Sequence, residues 1–142
     1  MKTAKQNFDF QFGLLHLVHL LTTADGVIDE REQRAIAGIV EEEQIPASVV
    51  EDFRKTAVKK AERDIYKDGL AHINQCTDEE KKRAFVHLFR LSEADDKIHV
   101  REVRLLLYSL KASNIDYEDV ELIARLTGSK QVVLQPKGKS AA

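Results

Sequence analysis

The sequence contains few of the residues that cross-link a chain or interrupt regular structure. Its 142 residues include one cysteine, two prolines and six glycines. Because Cys76 has no second cysteine to pair with, an internal disulfide is excluded, and a reducing cytoplasm is the expected compartment. The scarcity of proline and glycine argues against long irregular regions before the C-terminal tail.

An excess of one charge and a long apolar run are also lacking. The 22 Lys and Arg residues against 24 Asp and Glu residues give a net charge of −2, which does not indicate a nucleic-acid partner. The apolar run 12–21 is too short to span a bilayer and is interrupted by His16 and His19. A matching segment at 85–94, well inside the chain, argues that this run belongs to the fold rather than to a signal peptide. We therefore expect no direct insertion into a membrane.

What the sequence does contain is helical periodicity along almost its whole length. Apolar residues recur at helical spacing, which predicts an all-α fold, a single seven-helix bundle. The first helix is apolar nearly all round and is expected to lie at the centre. Thr77 and Glu80 have capping-box spacing, and Pro46 suits a first helical turn. The predicted helices are 8–24, 29–43, 46–62, 64–75, 78–94, 99–113 and 116–127.

The second informative feature is a repeat. Residues 24–32, Ala-Asp-Gly-Val-Ile-Asp-Glu-Arg-Glu, are echoed at 94–102, and the offset of 70 also relates Leu21 to Leu91 and Ile45 to Ile115. A constant offset without gaps indicates duplication of a helical unit. We expect two pseudo-symmetric three-helix repeats, about 8–62 and 78–127, joined by a bridging helix. They form one domain, 1–128, followed by a tail, 129–142.

Both copies of the repeat carry carboxylates between two predicted helices. The first junction holds Asp25, Asp29 and Glu32, and the second holds Asp95 and Glu102. Oxygen ligands on a flexible turn suit a hard divalent cation such as Ca²⁺ or Mg²⁺. The same residues could instead cap helices and pair with neighbouring arginines, since acids are favoured near helix N-termini. The residues alone leave both interpretations open.

Other candidate sites are weaker. An EF-hand is disfavoured because Leu21 would occupy its first ligand position. His16 and His19 have a spacing that can hold a metal, although a polar seam on a central helix explains them better. His99 could shift the second junction toward a transition metal or only cap a helix. The sequence contains no catalytic motif, and Cys76 has no Cys or His pair nearby, so we expect no enzymatic activity; a hydrolase using paired carboxylates is the weakest alternative.

The repeated string Ala24–Glu32, with its degenerate copy Ala94–Glu102, resembles the signature of the tellurite-resistance TerB-like family over roughly residues 8–127. The resemblance implies a seven-helix bundle with pseudo-two-fold symmetry, divalent-cation binding and a stress-response role near membranes. The resemblance implies that five carboxylates of the motif shared with the family are metal ligands. Asp96 and His99 depart from the pattern, which weakens the second site. The implied ligands are Asp25, Asp29, Glu32, Asp95 and Glu102.

These observations predict a non-enzymatic TerB-like protein that binds a divalent cation in a stress response of the tellurite-resistance type. The alternative is a metal-free helical adaptor that recruits another protein. The expected partner is a protein, in a stress complex associated with a membrane, and the chain itself could form a homo-oligomer. Nucleic acid is not an expected partner.

Overall fold

The chain forms seven α-helices in the structure, a computed structural model that describes the backbone of residues 4–22, 30–94 and 100–128. This part of the chain contains no β-strand, so the predicted all-α class is confirmed. None of its helices combines the length and hydrophobicity that crossing a bilayer requires. The helices are α1 Ala4–Thr22, α2 Glu30–Glu43, α3 Ala47–Ala57, α4 Glu62–Ile73, α5 Asp78–Ala94, α6 Val100–Ala112 and α7 Tyr117–Gly128.

Helix α1 lies at the centre of the bundle, as its apolar composition predicts. It packs against α2, α3, α4, α5 and α6, whereas α5 packs against α1, α6 and α7. Leu14, Leu15, Val18 and Leu21 are all fully buried on α1. Burial on nearly every side accounts for the apolar composition of residues 12–21, in which only His16 and His19 are polar.

The closest contact of α1 is with α4, where two glycines let the helices approach. A Cβ atom built on Gly13 would lie 2.9 Å from the Gly69 carbonyl oxygen and 2.8 Å from Ile73 Cγ1. A Cβ atom on Gly69 would lie 2.8 Å from His16 Cβ. All three distances are well below ordinary van der Waals contacts, so only glycine fits at either position without a shift of the helices.

The ends of α2 and α6 share an unusual backbone geometry at the offset of 70. Gln44 and Asn114 follow these helices with φ of 53° and 59°. The next residues, Ile45 and Ile115, are buried and return N–H hydrogen bonds of 3.0 Å to carbonyls five residues earlier. This is the Schellman pattern of helix termination. Helices α2 and α6 also begin 70 residues apart, at Glu30 and Val100. The spatial pseudo-symmetry of the two repeats stays a prediction.

Several helix boundaries differ from the predicted ones. Helix α3 ends at Ala57 rather than near residue 62, and α4 begins at Glu62. Val58 continues the apolar pattern in sequence but is 82% exposed, so nothing in the core extends α3 beyond that point. Pro46 is the N-cap of α3 rather than part of its first turn, with an extended ψ of 147°. The Thr77–Glu80 capping box is confirmed, with hydrogen bonds of 2.9 and 3.2 Å.

Candidate functional site

The first carboxylate junction lies between α1 and α2, which pack against each other. Helix α1 ends at Thr22, whose hydroxyl donates to the Val18 carbonyl at 2.9 Å, and α2 begins at Glu30. Asp25 and Asp29 lie outside the described residues. Glu32 is the third residue of α2, and its side chain also falls outside the described part. The structure therefore gives the helices that flank this junction but not the geometry of its ligands.

The second junction has the same frame. Helix α5 ends at Ala94, α6 begins at Val100, and the two helices pack together. Asp95, Asp96 and His99 lie outside the described residues. Glu102 is the third residue of α6, as Glu32 is of α2, and its side chain is likewise outside the described part. Cation binding at either junction stays a prediction.

A different group of possible ligands appears where the C-terminal end of α2 meets α5. Within the described part of the chain, Glu42, Glu43 and His87 form the only group of three acidic, histidine or cysteine side chains close enough to share an ion. Their ligand atoms lie within 4.8 Å of one another. Glu42 is exposed, whereas His87 is buried. A cavity of about 500 Å³ lies beside them, lined in part by Glu42, Arg83 and His87.

The contacts of Glu43 identify this group as an ion-pair network. His87 Nε2 donates to Glu43 Oε2 at 2.7 Å, and Arg83 approaches both carboxylate oxygens at 3.2 Å. The same guanidinium lies 4.3 Å from the centre of the Phe10 ring. Because Arg83 already neutralises Glu43, a cation would have to displace it. The network links α2, α5 and α1, and its first role is structural.

The electrostatics of Glu43 agree with that role. Burial alone would raise the pKa of the Glu43 carboxyl, because a charged group is costly to desolvate. The hydrogen bond from His87 and the charge of Arg83 outweigh burial and hold the pKa below its ordinary value. Glu43 is therefore ionised at neutral pH and stabilises the fold there.

His16 is a buried uncharged residue on α1. Its Nδ1–H donates to the Phe12 carbonyl at 2.7 Å, and its ring packs against Phe12 and Phe53. Burial lowers the His16 pKa to about 4, so the ring is neutral at pH 7. Nε2 has no hydrogen-bond partner among the described residues. His16 and His19 do not belong to any group of described residues that could share an ion.

Comparison with known proteins assigns the family. A family model described as "Tellurite resistance protein TerB" matches residues 11–124, which is most of the chain. The chain belongs to the TerB family. No curated protein and no solved structure matches it significantly. The resemblance noted in the sequence is thereby confirmed at the level of the family.

The match also places the candidate residues within the TerB domain. It spans both junctions, and so includes the five predicted ligands, and it extends from α1 into α7. Glu42, Glu43 and His87 lie within it as well. The tail 129–142 lies beyond the matched region and outside the described residues. The family assignment thus shows that both junctions lie within the TerB domain.

Sequence reasoning missed the Glu43–His87–Arg83 network. Its partners are 40 and 44 residues apart, so no local spacing indicates the contact. One signal was present: three glutamates, 41–43, end helix α2. Acidic side chains at a helix C-terminus are unfavourable against the helix dipole unless cations lie nearby. That run could have prompted a search for a basic partner on another helix.

Proposed function

We propose that this TerB-family protein is a non-enzymatic, cytoplasmic protein that binds a divalent cation, Ca²⁺ or Mg²⁺, at its first junction. Asp25, Asp29 and Glu32 would supply the carboxylate ligands, and Asp95 and Glu102 would form a weaker second site. The name of the family points to a stress response of the tellurite-resistance type. The observation that carries the proposal is the family match, which spans both junctions on an all-helical frame.

The frame of the first junction is compatible with a weak site. Seven residues connect the end of α1 to the start of α2, and two of the three carboxylates belong to that connection. Ca²⁺ takes six to eight oxygen ligands, so three side chains need water or backbone carbonyls to complete the shell. The positive end of the α2 dipole opposes a cation near Glu32. Both effects lead us to expect a dissociation constant on the order of 10⁻⁴ M or weaker.

Thermal unfolding with and without added cation tests the proposal. A cation that binds only the folded state raises stability by RT ln(1 + [L]/Kd), about 1.4 kcal/mol at ten times Kd. We expect millimolar Ca²⁺ or Mg²⁺ to raise the unfolding temperature of the natural protein. The double variant Asp25→Asn with Glu32→Gln should lose that rise, and Asp95→Asn should keep most of it.

Glu42→Gln is the matched control, because it removes one exposed carboxylate from the only other cation-sized group in the described part of the chain. It should leave the cation effect unchanged. Loss of the effect in Glu42→Gln alone would move the site to the end of α2. If Ca²⁺, Mg²⁺ and Mn²⁺ leave the unfolding temperature and the calorimetric baseline of the natural protein unmoved, the junction carboxylates are caps and ion-pair partners.

A metal-free adaptor is the second candidate function, and the surface of the second half favours it. Six of the seven large apolar side chains that are exposed in the described part lie on α6 and α7. At the offset of 70, the equivalent positions of the first half carry only small or polar residues. The six exposed residues are Val103, Leu107, Tyr108, Tyr117, Leu122 and Leu126, and their counterparts are Gln33, Ala37, Gly38, Ala47, Asp52 and Thr56.

Folding does not require these apolar side chains at the surface, since the first half does without them. A protein partner, a stress complex near a membrane or a second copy of the chain would give them contacts. Sedimentation of Leu122→Ser with Leu126→Ser, against Val58→Ser as control, tests self-association. Equal sedimentation of the natural protein, the double variant and Val58→Ser at high concentration would exclude a homo-oligomer through α7.

A further inference from the structure

A groove between α1, α4 and α6 combines exposed arginine side chains with aromatic and apolar surface. It encloses a cavity of about 390 Å³. Leu20 of α1 and Leu105 of α6 contribute apolar side chains, the first buried and the second half-buried. The remaining lining residues are Glu62, Arg63, Tyr66, Arg104 and Tyr108.

The two arginines of this groove, Arg63 and Arg104, are exposed. Neither Arg63 nor Arg104 makes a hydrogen bond or an ion pair with any residue that the structure describes. Glu62 is the one carboxylate among the described lining residues, so the two guanidinium groups give these residues a positive balance. Arg63 is also followed on α4 by Lys67, one helical turn away and exposed. A negatively charged ligand would find donors here that no described group of the protein uses.

In the first half of the chain, the arginine equivalent to Arg104 has an ion-pair partner. Arg34, the counterpart of Arg104 at the offset of 70, pairs with Glu30 one turn earlier at 3.4 Å. At the position equivalent to Glu30, the second half has Val100. Arg104 has therefore lost the carboxylate that satisfies Arg34.

One aromatic side chain of the groove, that of Tyr108, is likewise specific to the second half. Tyr108 is 62% exposed, and its counterpart is Gly38. Leu105 corresponds to Ala35. Tyrosine and arginine are the residue types that contribute most to protein recognition, because each offers a large face together with a polar group. Loss of a pairing carboxylate and gain of an aromatic face at one place are both expected of a binding surface.

We propose that this groove binds an acidic segment of another protein, one that presents carboxylates to Arg63 and Arg104 beside an apolar side chain. The carboxylates would accept hydrogen bonds from the two guanidinium groups. The apolar side chain would lie on Leu105 and the faces of Tyr66 and Tyr108. The inference rests on the adaptor function and does not need cation binding at the junctions.

The composition of the groove favours a peptide over a free phosphate or a lipid surface. A free phosphate would use the arginines but leave the leucine and tyrosine surface without contacts. A membrane surface is recognised by clusters of four to eight basic residues rather than by two arginines in a recess. The groove also differs from the junctions in its charge, because it contains two arginines whereas the junctions contain carboxylates.

Selection from a random-peptide library displayed on phage tests the proposal without assuming a partner. The immobilised natural protein, in buffer with a chelator, should select peptides in which Asp or Glu flanks an apolar residue. The variant Arg63→Gln with Arg104→Gln should lose that enrichment. Arg34→Gln is the matched control, because it removes one equivalent exposed arginine and should select the same acidic peptides as the natural protein.

Fluorescence anisotropy with one selected peptide then gives the affinity. We expect at least a tenfold weaker affinity for the double arginine variant and for the peptide with Glu changed to Gln, because charged pairs are lost. Binding should also weaken between about 50 and 300 mM salt. Tyr108→Ala should weaken binding with unchanged salt dependence.

Two results would overturn the proposal. One is selection by the natural protein without enrichment in acidic residues, or with the same enrichment in the double arginine variant. The other is binding to vesicles containing phosphatidylserine that depends on Arg63 and Arg104 while no acidic peptide binds, which would assign the groove to a lipid surface. Circular dichroism should show that the double variant is folded, since both arginines are exposed. Failure of cation binding at the junctions would not affect either measurement.

Discussion

Replacing Gly13 with alanine adds a single methyl group at the place where α1 and α4 come closest. The new Cβ atom would lie 2.9 Å from the Gly69 carbonyl oxygen and 2.8 Å from Ile73 Cγ1. Ordinary contacts between carbon atoms are about 3.5–4.0 Å, so the helices must separate by several tenths of an ångström. The carbonyl belongs to a helix backbone and cannot rotate away, unlike the end of a long side chain.

The expected cost follows from two opposing effects. Overpacking of a core typically destabilises a protein by about 1–3 kcal/mol. Alanine is favoured over glycine inside a helix by about 1 kcal/mol, which offsets part of that cost. We expect Gly13→Ala to lower the free energy of unfolding by up to about 2 kcal/mol, the overpacking cost less the helix preference. Gly69→Ala should behave similarly, because its Cβ atom would lie 2.8 Å from His16 Cβ.

Gly38 provides the control. It lies in α2, and a Cβ atom there would meet nothing within 4 Å. Gly38→Ala should therefore gain the helix preference alone and raise stability by up to about 1 kcal/mol. Denaturant unfolding followed by circular dichroism measures all three variants. If Gly13→Ala were as stable as Gly38→Ala, α1 and α4 would not cross as closely as described.

The double variant Gly13→Ala with Gly69→Ala sharpens the test. Both methyl groups open the same helix crossing, so the second substitution meets a gap that the first has partly made. The combined loss should be smaller than the sum of the single losses, as is expected for residues in contact. Strict additivity would indicate that the two glycines act through separate contacts.

Three further predictions concern the helix ends, the buried histidine and the α2–α5 network. Gln44→Gly should stabilise the protein by about 1 kcal/mol because it relieves a positive φ, and Asn114→Gly should gain less, since asparagine tolerates that conformation better; denaturant unfolding compares them. Burial lowers the His16 pKa to about 4, so as the pH is lowered the unfolded state takes up the proton before the folded state does. The free energy of unfolding should therefore fall by up to about 1.4 kcal/mol for each pH unit on going from pH 6.5 to 4. His16→Leu should remove that part of the pH dependence in unfolding curves measured across this range. Glu43→Gln should destabilise the protein by about 2 kcal/mol at pH 7, because the buried His87 and the exposed Arg83 lose the charged partner of their hydrogen bonds. Since the Glu43 pKa is lowered, the difference between the two proteins should shrink as the pH falls below about 4.5, and a constant difference would contradict the ionised role.

The helices could be predicted from the sequence because their signals are local. Apolar spacing identified seven helices, and the Thr77–Glu80 pair located the start of α5 within the described structure. The end of α3 could not be located, because Val58 fits the apolar pattern although it lies at the surface. Sequence periodicity indicates which residues share a face but not where the neighbouring helix ends.

The Glu43–His87 contact could not be predicted, and the repeat offered no help. At the offset of 70, the counterpart of Glu43 is Ser113, which is buried and whose hydroxyl has no hydrogen-bond partner among the described residues. The counterpart of His87 is Leu17. The network, which joins α2 to α5, is therefore not repeated at the offset of 70. Only the packing of α2 near α5 brings its charges together, and no spacing along the chain encodes that distance.

Comparison of the two halves separates what the fold requires from what function requires. Buried isoleucines and positive-φ residues recur at the offset of 70, as expected where the helix terminus needs them. Exposed positions are free of that requirement, yet they differ in a consistent way. Among the described exposed positions, the second half gains Tyr108 and an Arg104 that pairs with no described residue. In sequence alone, the second junction has Asp96 and His99 where the first has Gly26 and Asp29.

This division leads to a last prediction about the two proposals. If the first junction binds the cation and the groove between α1, α4 and α6 binds the acidic segment, each set of substitutions should affect one readout. Asp25→Asn with Glu32→Gln should abolish the thermal effect of cation and leave the anisotropy titration unchanged. Arg63→Gln with Arg104→Gln should do the reverse. A loss of both activities in either variant, with the fold intact by circular dichroism, would mean that the two sites are coupled, and by linkage added cation would then change the affinity for the peptide.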